Sequence, residues 1–381
     1  MKKALFVATV YHFLNFEKSD MQILKDMGFE IHTATNMSNE EWLQDDGSLD
    51  SLNVIKHQID FDRLPFSFSN LKAYKQLRKL INENDFTLIH CHTPVAGVVA
   101  RLAAISARNK GANVIYTAHG FHFYKGAPLS NWLFYFPVEW FLSFVTDTLI
   151  TINKEDYELA KNYLHSKYVE YIAGVGIDIK KFEDIKIDKK AKKKELGIPE
   201  NSKLILSVGE LNKNKNHQII LRAIAKTNNQ NIHYAICGEG KLHNKLQTFA
   251  KKLNVINQLH LLGQRNDIPE ILKCADIFVF PSLREGLGLS ALEAMAAGLP
   301  LIISDNRGSR DFAVNGFNSY VVESTDVDSF KNSIINLLNN NEIRNKFVLN
   351  SKKTIEKFDL NIVSEKMKDI YLSYFNRLKE K

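Results

Sequence analysis

Short β-branched or apolar runs alternate along this chain with longer stretches of helical periodicity. Leu5–Val10, Ile31–Thr35, Leu88–Cys91 and Asn113–Thr117 read as strands. These short β-branched or apolar runs are the mark of buried parallel strands. Between them, Ser69–Asn82 and Val95–Ser106 carry apolar residues at helical spacing, so the repeating unit is βα. The rhythm pauses near Gly174-Val175-Gly176, and a polar, lysine-heavy stretch runs from Ile177 to Pro199. It restarts at Lys203–Val208 and continues through His233–Cys237, Leu259–Leu262, Ile277–Phe280 and Leu301–Ser304. The prediction is an α/β protein of two Rossmann-like, doubly wound parallel-sheet domains, residues 1–175 and 176–361. Such sheets bind ligands at the carboxyl ends of their strands, so the site is expected in a cleft between them. A last segment, Ile362 to Leu378, places Ile362, Met367, Ile370, Tyr371, Tyr374 and Phe375 at helical spacing. That stripe needs a surface to cover, and residues from about 362 to 381 are expected to return to the first domain.

The length of 381 residues agrees with two domains, and 45% hydrophobic with 24% charged residues is a globular balance. No uncharged apolar run approaches the ~18 residues of a membrane span. Met1-Lys2-Lys3 followed by Ala4–Ala8 imitates a leader, but the run is short and lacks a small-residue cleavage site, so a buried first strand is expected. Cys91, Cys237 and Cys274 sit in apolar contexts without ligand spacing, which points to reduced thiols in a cytosol and no zinc motif. The net charge of +7 is uneven. Residues 1–175 hold 17 Lys/Arg against 19 Asp/Glu, and the remainder 33 against 24. A basic second half attracts phosphate, although Lys189 to Lys194 also reads as a solvated surface. Nucleic-acid binding is not expected, for want of an aromatic–basic recognition motif.

The strongest chemical signal follows the Ile277–Phe280 strand. Pro281-Ser282-Leu283-Arg284-Glu285-Gly286-Leu287-Gly288-Leu289 feeds a helix rich in Ala, Leu and Met, which Gly298 and Pro300 end. A helix start offers unpaired N–H groups and a positive dipole end, a seat for phosphate. Gly286 and Gly288 let that backbone approach a ligand. Glu285 lies in the loop and Glu293 inside the helix, where a charge among apolar residues needs a partner. Carboxylates accept hydrogen bonds from hydroxyls, so the pair suits one sugar ring and one ribose.

The Glu285-x7-Glu293 spacing, set between Gly-Leu-Gly-Leu and Ala-x-Gly-x-Pro, resembles the retaining GT-B glycosyltransferases of family 4, and more narrowly the capsule and exopolysaccharide enzymes of low-GC bacteria. The resemblance extends over Tyr116-Thr117-Ala118-His119-Gly120, Gly174-Val175-Gly176-Ile177-Asp178, Ser207-Val208-Gly209, Cys237-Gly238-Glu239-Gly240 and Leu262-Gly263-Gln264-Arg265-Asn266-Asp267-Ile268. It implies a cytoplasmic hexosyltransferase using a nucleotide diphosphate sugar, UDP-linked, as donor, with an N-acetylhexosamine as a candidate sugar. Glu293 would hold the ribose hydroxyls, Glu285 would sit beside the anomeric carbon, and Lys215 would meet the pyrophosphate. Gly209, Gly238 and Gly240 would pass close to the nucleotide, as would Gly286, Leu287, Gly288 and Leu289, while Arg265 would offer backbone groups to the base. His119 would face the donor sugar, although a lone histidine also reads as a satisfied core residue. With Lys215 and helix N–H groups carrying the phosphate charge, no metal is required, and no Asp-x-Asp triad is noted.

Two departures stand out. The family arginine after Gly209 is Glu210 here, which leaves Lys213 or Arg284 as substitutes. The first strand runs into Thr9-Val10-Tyr11-His12-Phe13 rather than a glycine-rich loop, so Tyr11 and His12 are candidates for the acceptor side. The aromatic stretch Phe121–Phe144, with two of the three tryptophans, has two readings: packing between helices, or contact with a membrane surface or polyprenyl chain. The resemblance implies a carbohydrate acceptor, polyprenyl-linked, with peripheral membrane contact. The alternatives are a GT-B sugar-nucleotide epimerase and a non-catalytic nucleotide-sugar-binding partner.

Overall fold

The computed structural model describes residues 1–38 and 47–379, with side chains described through Phe375. The chain forms two compact units, Met1–Gly176 with Asn361–Lys381, and Ile177–Leu360. Gly174 and Gly176, at φ 74° and 80°, form the turn that closes the first.

The first unit is built on seven parallel strands: β1 (Lys2–Val10), β2 (Phe29–Asn36), β3 (Ile55–Gln58), β4 (Phe86–Cys91), β5 (Asn113–Ala118), β6 (Thr148–Thr151) and β7 (Tyr168–Tyr171), in the order β3-β2-β1-β4-β5-β6-β7. Ala4 to Ala8 of β1 are fully buried, as a central strand covered on both faces requires. β1 pairs with β2 on one side and β4 on the other, so the winding reverses between β1 and β4. The helix Ser69–Glu83 covers one face through Ala73, Leu77 and Ile81. The expected helix over Val95–Ser106 is two, Pro94–Ala103 and Ile105–Asn109, the first opened by Pro94 in its first turn.

The second unit has six parallel strands: β8 (Lys203–Val208), β9 (Ile232–Cys237), β10 (Leu259–Gly263), β11 (Ile277–Phe280), β12 (Leu301–Ser304) and β13 (Ser319–Val322), in the order β10-β9-β8-β11-β12-β13. Here the winding reverses between β8 and β11, and ligands of such sheets bind at that reversal. The segments after these two strands carry Gly209–Lys215 and Pro281–Leu289.

The last helix, Leu360–Lys379, belongs to the first unit from Asn361 onward. Tyr371 is fully buried there and its hydroxyl lies 2.9 Å from His90 Nδ1 and 3.2 Å from Asp20 Oδ2. All three cysteines are free and buried, and burial pushes the Cys91 and Cys237 thiols up to about 12.

Candidate functional site

In the second unit the loop after β11 is fixed by main-chain partners far away in sequence. Leu283 N–H donates to Asn214 O at 2.8 Å. Asn214 Nδ2 donates to Arg284 O at 2.8 Å, and Arg284 N–H donates back to Asn214 Oδ1 at 3.1 Å. Asn216 Nδ2 donates to Pro281 O, and Asn306 Nδ2 to Ser282 O, both at 3.2 Å. These bonds pin the Pro281–Arg284 part of the loop to the turn holding Asn214 and Asn216 and to Asn306. None of these asparagines stands out in the sequence, because their partners are main-chain atoms.

Lys215 pairs with Glu285, Nζ to Oε1 at 2.7 Å, with the ammonium 5.0 Å from the centre of the Phe280 ring. Both side chains keep partial exposure, at 21% and 14%. The helix Leu289–Ala296 begins immediately beyond, capped at Gly288 with φ 108° and no side-chain hydrogen bond to its first N–H groups. A Cβ on Gly288 would come within 2.9 Å of Phe280 Cε1, so glycine is needed both for the turn and for the close approach. A helix start without a side-chain cap, close to the same Phe280 ring that neighbours the ammonium, has the chemistry to receive an anion. Glu293, one helical turn further along, has its carboxyl pushed up from 4.5 to about 7 by burial, with Lys181 opposing the shift. The expected set of Lys215, Glu285, Gly286, Leu287, Gly288, Leu289 and Glu293 thus lies on one loop–helix junction and the turn that grips it.

Gly209, Gly238 and Gly240 stack nearby through the main chain. Gly209 N–H donates to Cys237 O at 2.9 Å, Gly238 N–H to Gly263 O at 2.7 Å, and Leu211 N–H to Glu239 O at 2.8 Å. A side chain on Gly238 would collide with Gly209 O. The Arg265 guanidinium is held by Asp267, at 2.7 and 2.6 Å. That arginine, with Lys192, holds the Asp267 carboxyl well below the usual range. Glu210 is exposed and accepts from Asn212 Nδ2 at 2.9 Å. Contrary to the expectation that no Asp-x-Asp triad is present, Asp60-Phe61-Asp62 and Asp326-Val327-Asp328 both have that pattern. Asp60 is paired to Lys72 at 2.7 Å, and Asp326 caps the helix Val327–Asn339, so both have structural employment.

In the first unit, His119 follows β5 and lies 3.3 Å from both Glu17 Oε1 and His92 Nδ1, with Phe13 edge-on to its ring. Burial, then His90 and His119, holds His92 neutral, far below the ordinary imidazole range. Glu17, His92 and His119 form a group whose ligand atoms are close enough to share an ion. Neither Glu17 nor His92 was anticipated from sequence. Glu17 ends the short helix Tyr11–Glu17, distant in the chain from both histidines. Of the two candidates for the acceptor side, Tyr11 is only 2% exposed, with Lys56 over its ring, whereas His12 is half-buried.

The aromatic stretch divides. In the helix Leu129–Ser143, Trp132, Tyr135, Phe136 and Trp140 pack on the core, and a buried Arg101–Glu139 pair at 2.7 Å anchors it. Its other side exposes Leu129, Leu133, Phe134 and Phe141, the first at 81%. Beside it lies a cavity of about 360 Å³ lined by Val95, Val99, Phe121, Phe123, Phe134 and Tyr135 among others. Among the described residues no helix is long and apolar enough to cross a membrane.

Comparison with known proteins agrees with both halves of this picture. Residues 3–153 match the family model described as glycosyl transferase 4-like, and residues 188–354 that of glycosyl transferases group 1. The chain is 39% identical over 380 residues to a Bacillus subtilis (strain 168) protein that carries the name glycosyltransferase EpsD, covering 98% of this chain and 97% of that one. It is 32% identical over 312 residues to the Escherichia coli UDP-Gal:alpha-D-GlcNAc-diphosphoundecaprenol alpha-1,3-galactosyltransferase, covering 80% and 79%. The fold matches the crystal structure of Anabaena Alr3699/HepE in complex with UDP and glucose, with a TM-score of 0.81, 17% identity, and coverage of 98% and 100%. These likenesses favour transfer over the epimerase alternative. The chain belongs to the group 1, family 4-like glycosyltransferases of the GT-B fold.

Proposed function

We propose that the chain moves a hexosyl or N-acetylhexosaminyl group, with retention, from a UDP-linked sugar to a polyprenyl-linked carbohydrate in capsule or exopolysaccharide synthesis. The observation that carries this reading is the 2.7 Å Lys215–Glu285 pair beside the uncapped start of the helix Leu289–Ala296. An arriving diphosphate competes with Glu285 for the ammonium. Lys215 and the helix N–H groups then take the phosphate charge, and Glu285 is released to accept from sugar hydroxyls. Glu293 serves the ribose.

As the bond between the anomeric carbon and the diphosphate oxygen breaks, these fixed donors stabilise the departing charge, which is where preorganised groups lower a barrier most. The acceptor oxygen bonds to the same face of the sugar, and its proton passes to the leaving phosphate. His119 steadies the sugar, and no metal takes part. The first unit takes the acceptor. The exposed face of the helix Leu129–Ser143, with Phe66 at 90% exposure, favours peripheral contact at the cytoplasmic face of the cell membrane. The lipid-linked substrate of the E. coli relative favours a polyprenyl carrier.

A screen of nucleotide sugars for donor hydrolysis, run in excess EDTA, tests the donor half without knowledge of the acceptor. UDP release from at least one UDP-sugar is expected, and Lys215→Ala should lower it about 100-fold at limiting donor while the fold stays intact. Full turnover in a folded Lys215→Ala protein would reject the assignment, and activity dependent on added magnesium or manganese would reject the metal-free mechanism.

A further inference from the structure

Several imidazoles in the described residues have close polar neighbours, and one group brings two imidazoles and a carboxylate together. His32 Nδ1 lies 2.9 Å from His57 Nε2, and His32 Nε2 lies 2.7 Å from Glu30 Oε1. His233 Nδ1 lies 2.9 Å from His260 Nε2, and His90 Nδ1 lies 2.9 Å from Tyr371 Oη. These are ordinary hydrogen-bond lengths. The group of three is a triangle. Glu17 Oε1 lies 3.3 Å from His119 Nε2 and 3.5 Å from His92 Nδ1, and the two nitrogens are 3.3 Å apart. All three edges exceed the ~2.7–2.9 Å of a charge-assisted hydrogen bond. Glu17 Oε1 is buried and makes no hydrogen bond, so the two imidazole nitrogens are the polar neighbours on which this carboxylate oxygen depends.

Tetrahedral geometry explains the spacing. An ion bound at about 2.0–2.1 Å holds its ligand atoms about 3.3–3.4 Å apart. We propose that Glu17 Oε1, His92 Nδ1 and His119 Nε2 form a site for a single Zn²⁺ ion, with the fourth position open. Two imidazole nitrogens and one carboxylate oxygen suit zinc and disfavour magnesium and calcium, which prefer oxygen ligands. His119 keeps 18% side-chain exposure, which gives the ion a way in. His92 Nε2 is buried without the outer hydrogen-bond partner that strong zinc sites provide, so affinity should be about micromolar rather than nanomolar. Zinc here would hold the His119 nitrogen that the proposed transfer uses, so it should inhibit. That consequence rests on the proposed function, whereas the binding does not.

The test is calorimetric titration of ZnCl₂ into the untagged, chelator-stripped full chain. One ion per chain at about micromolar Kd is expected, weakened at least tenfold in Glu17→Gln and in His119→Ala, and unchanged in His260→Gln. If the buried Glu17→Gln variant fails to fold, the more exposed His119→Ala carries the test. Co²⁺ replaces Zn²⁺ as a second probe and should give the intense visible bands of a tetrahedral site. Absence of saturable binding up to about 100 μM, or equal affinity in the wild type and His119→Ala, overturns the site. Ligand-dependent binding with no inhibition of donor turnover upholds the site and removes His119 from the transfer, so the two failures are distinguishable.

Discussion

Glu293 lies in a helix otherwise made of Leu, Ser, Ala and Met, and the fold holds its carboxyl up near 7. A carboxyl raised in the folded state contributes stability that is fully present below its unfolded value near 4.5 and is lost as pH rises through about 7. Replacing it with the uncharged isostere removes that pH dependence. Glu293→Gln should therefore raise the melting temperature relative to wild type at about pH 8 more than at about pH 5, while raising KM for the donor. Thermal melts at both pH values check this; an equal difference at the two would contradict it. The residue was legible in the sequence because an apolar helix makes a lone charge conspicuous; Glu285 was legible from its place in the loop after β11, and Lys215 only through the family resemblance. Glu17 and Asn214 were not. The first matters through imidazoles remote in the chain, and the second through main-chain atoms that no side-chain pattern records.

Strands were legible where they are apolar on both faces, as in β1, β8, β9 and β11. Four escaped for different reasons. β3, Ile-Lys-His-Gln, is an edge strand with little apolar character, and β7 and β13 close the opposite edges as four-residue strands. β6 is buried but is only four residues long, with threonine at both ends. Edge strands are weakly patterned because one side of them meets solvent or a loop. The element that matters most for chemistry is the loop from Pro281 to Gly288, whose shape depends on the turn holding Asn214. Asn214→Ala removes two hydrogen bonds to Arg284, each worth about 1 kcal/mol net. It should cost about 1–2 kcal/mol of stability and raise donor KM about tenfold, with a smaller change in kcat. Steady-state kinetics with denaturant melts measure both. Unchanged KM in a destabilised variant would show that the loop keeps its shape without Asn214.

At the scale of the whole molecule the chain leaves its first unit at Gly176 and returns to it at Asn361. The helical stripe of the last segment was readable, but not the polar anchor within it. Tyr371 is buried against His90 and Asp20, and burial, reinforced by Glu17, raises the Asp20 carboxyl well above its ordinary range. Tyr371→Phe leaves the packing intact and strands His90 Nδ1, so the melting temperature should fall by a few degrees, corresponding to about 1–3 kcal/mol. Calorimetry of the full chain would show it, and an unchanged trace would mean the hydroxyl is dispensable. The central claim is transfer itself. Its most direct measurement follows a labelled UDP-sugar and a polyprenyl-diphosphate-linked sugar in EDTA, with the anomeric configuration of the product read by NMR. Equal amounts of UDP and a product in which the donor's α-configuration is kept are predicted; an inverted product, or UDP release that never yields one, would contradict the account.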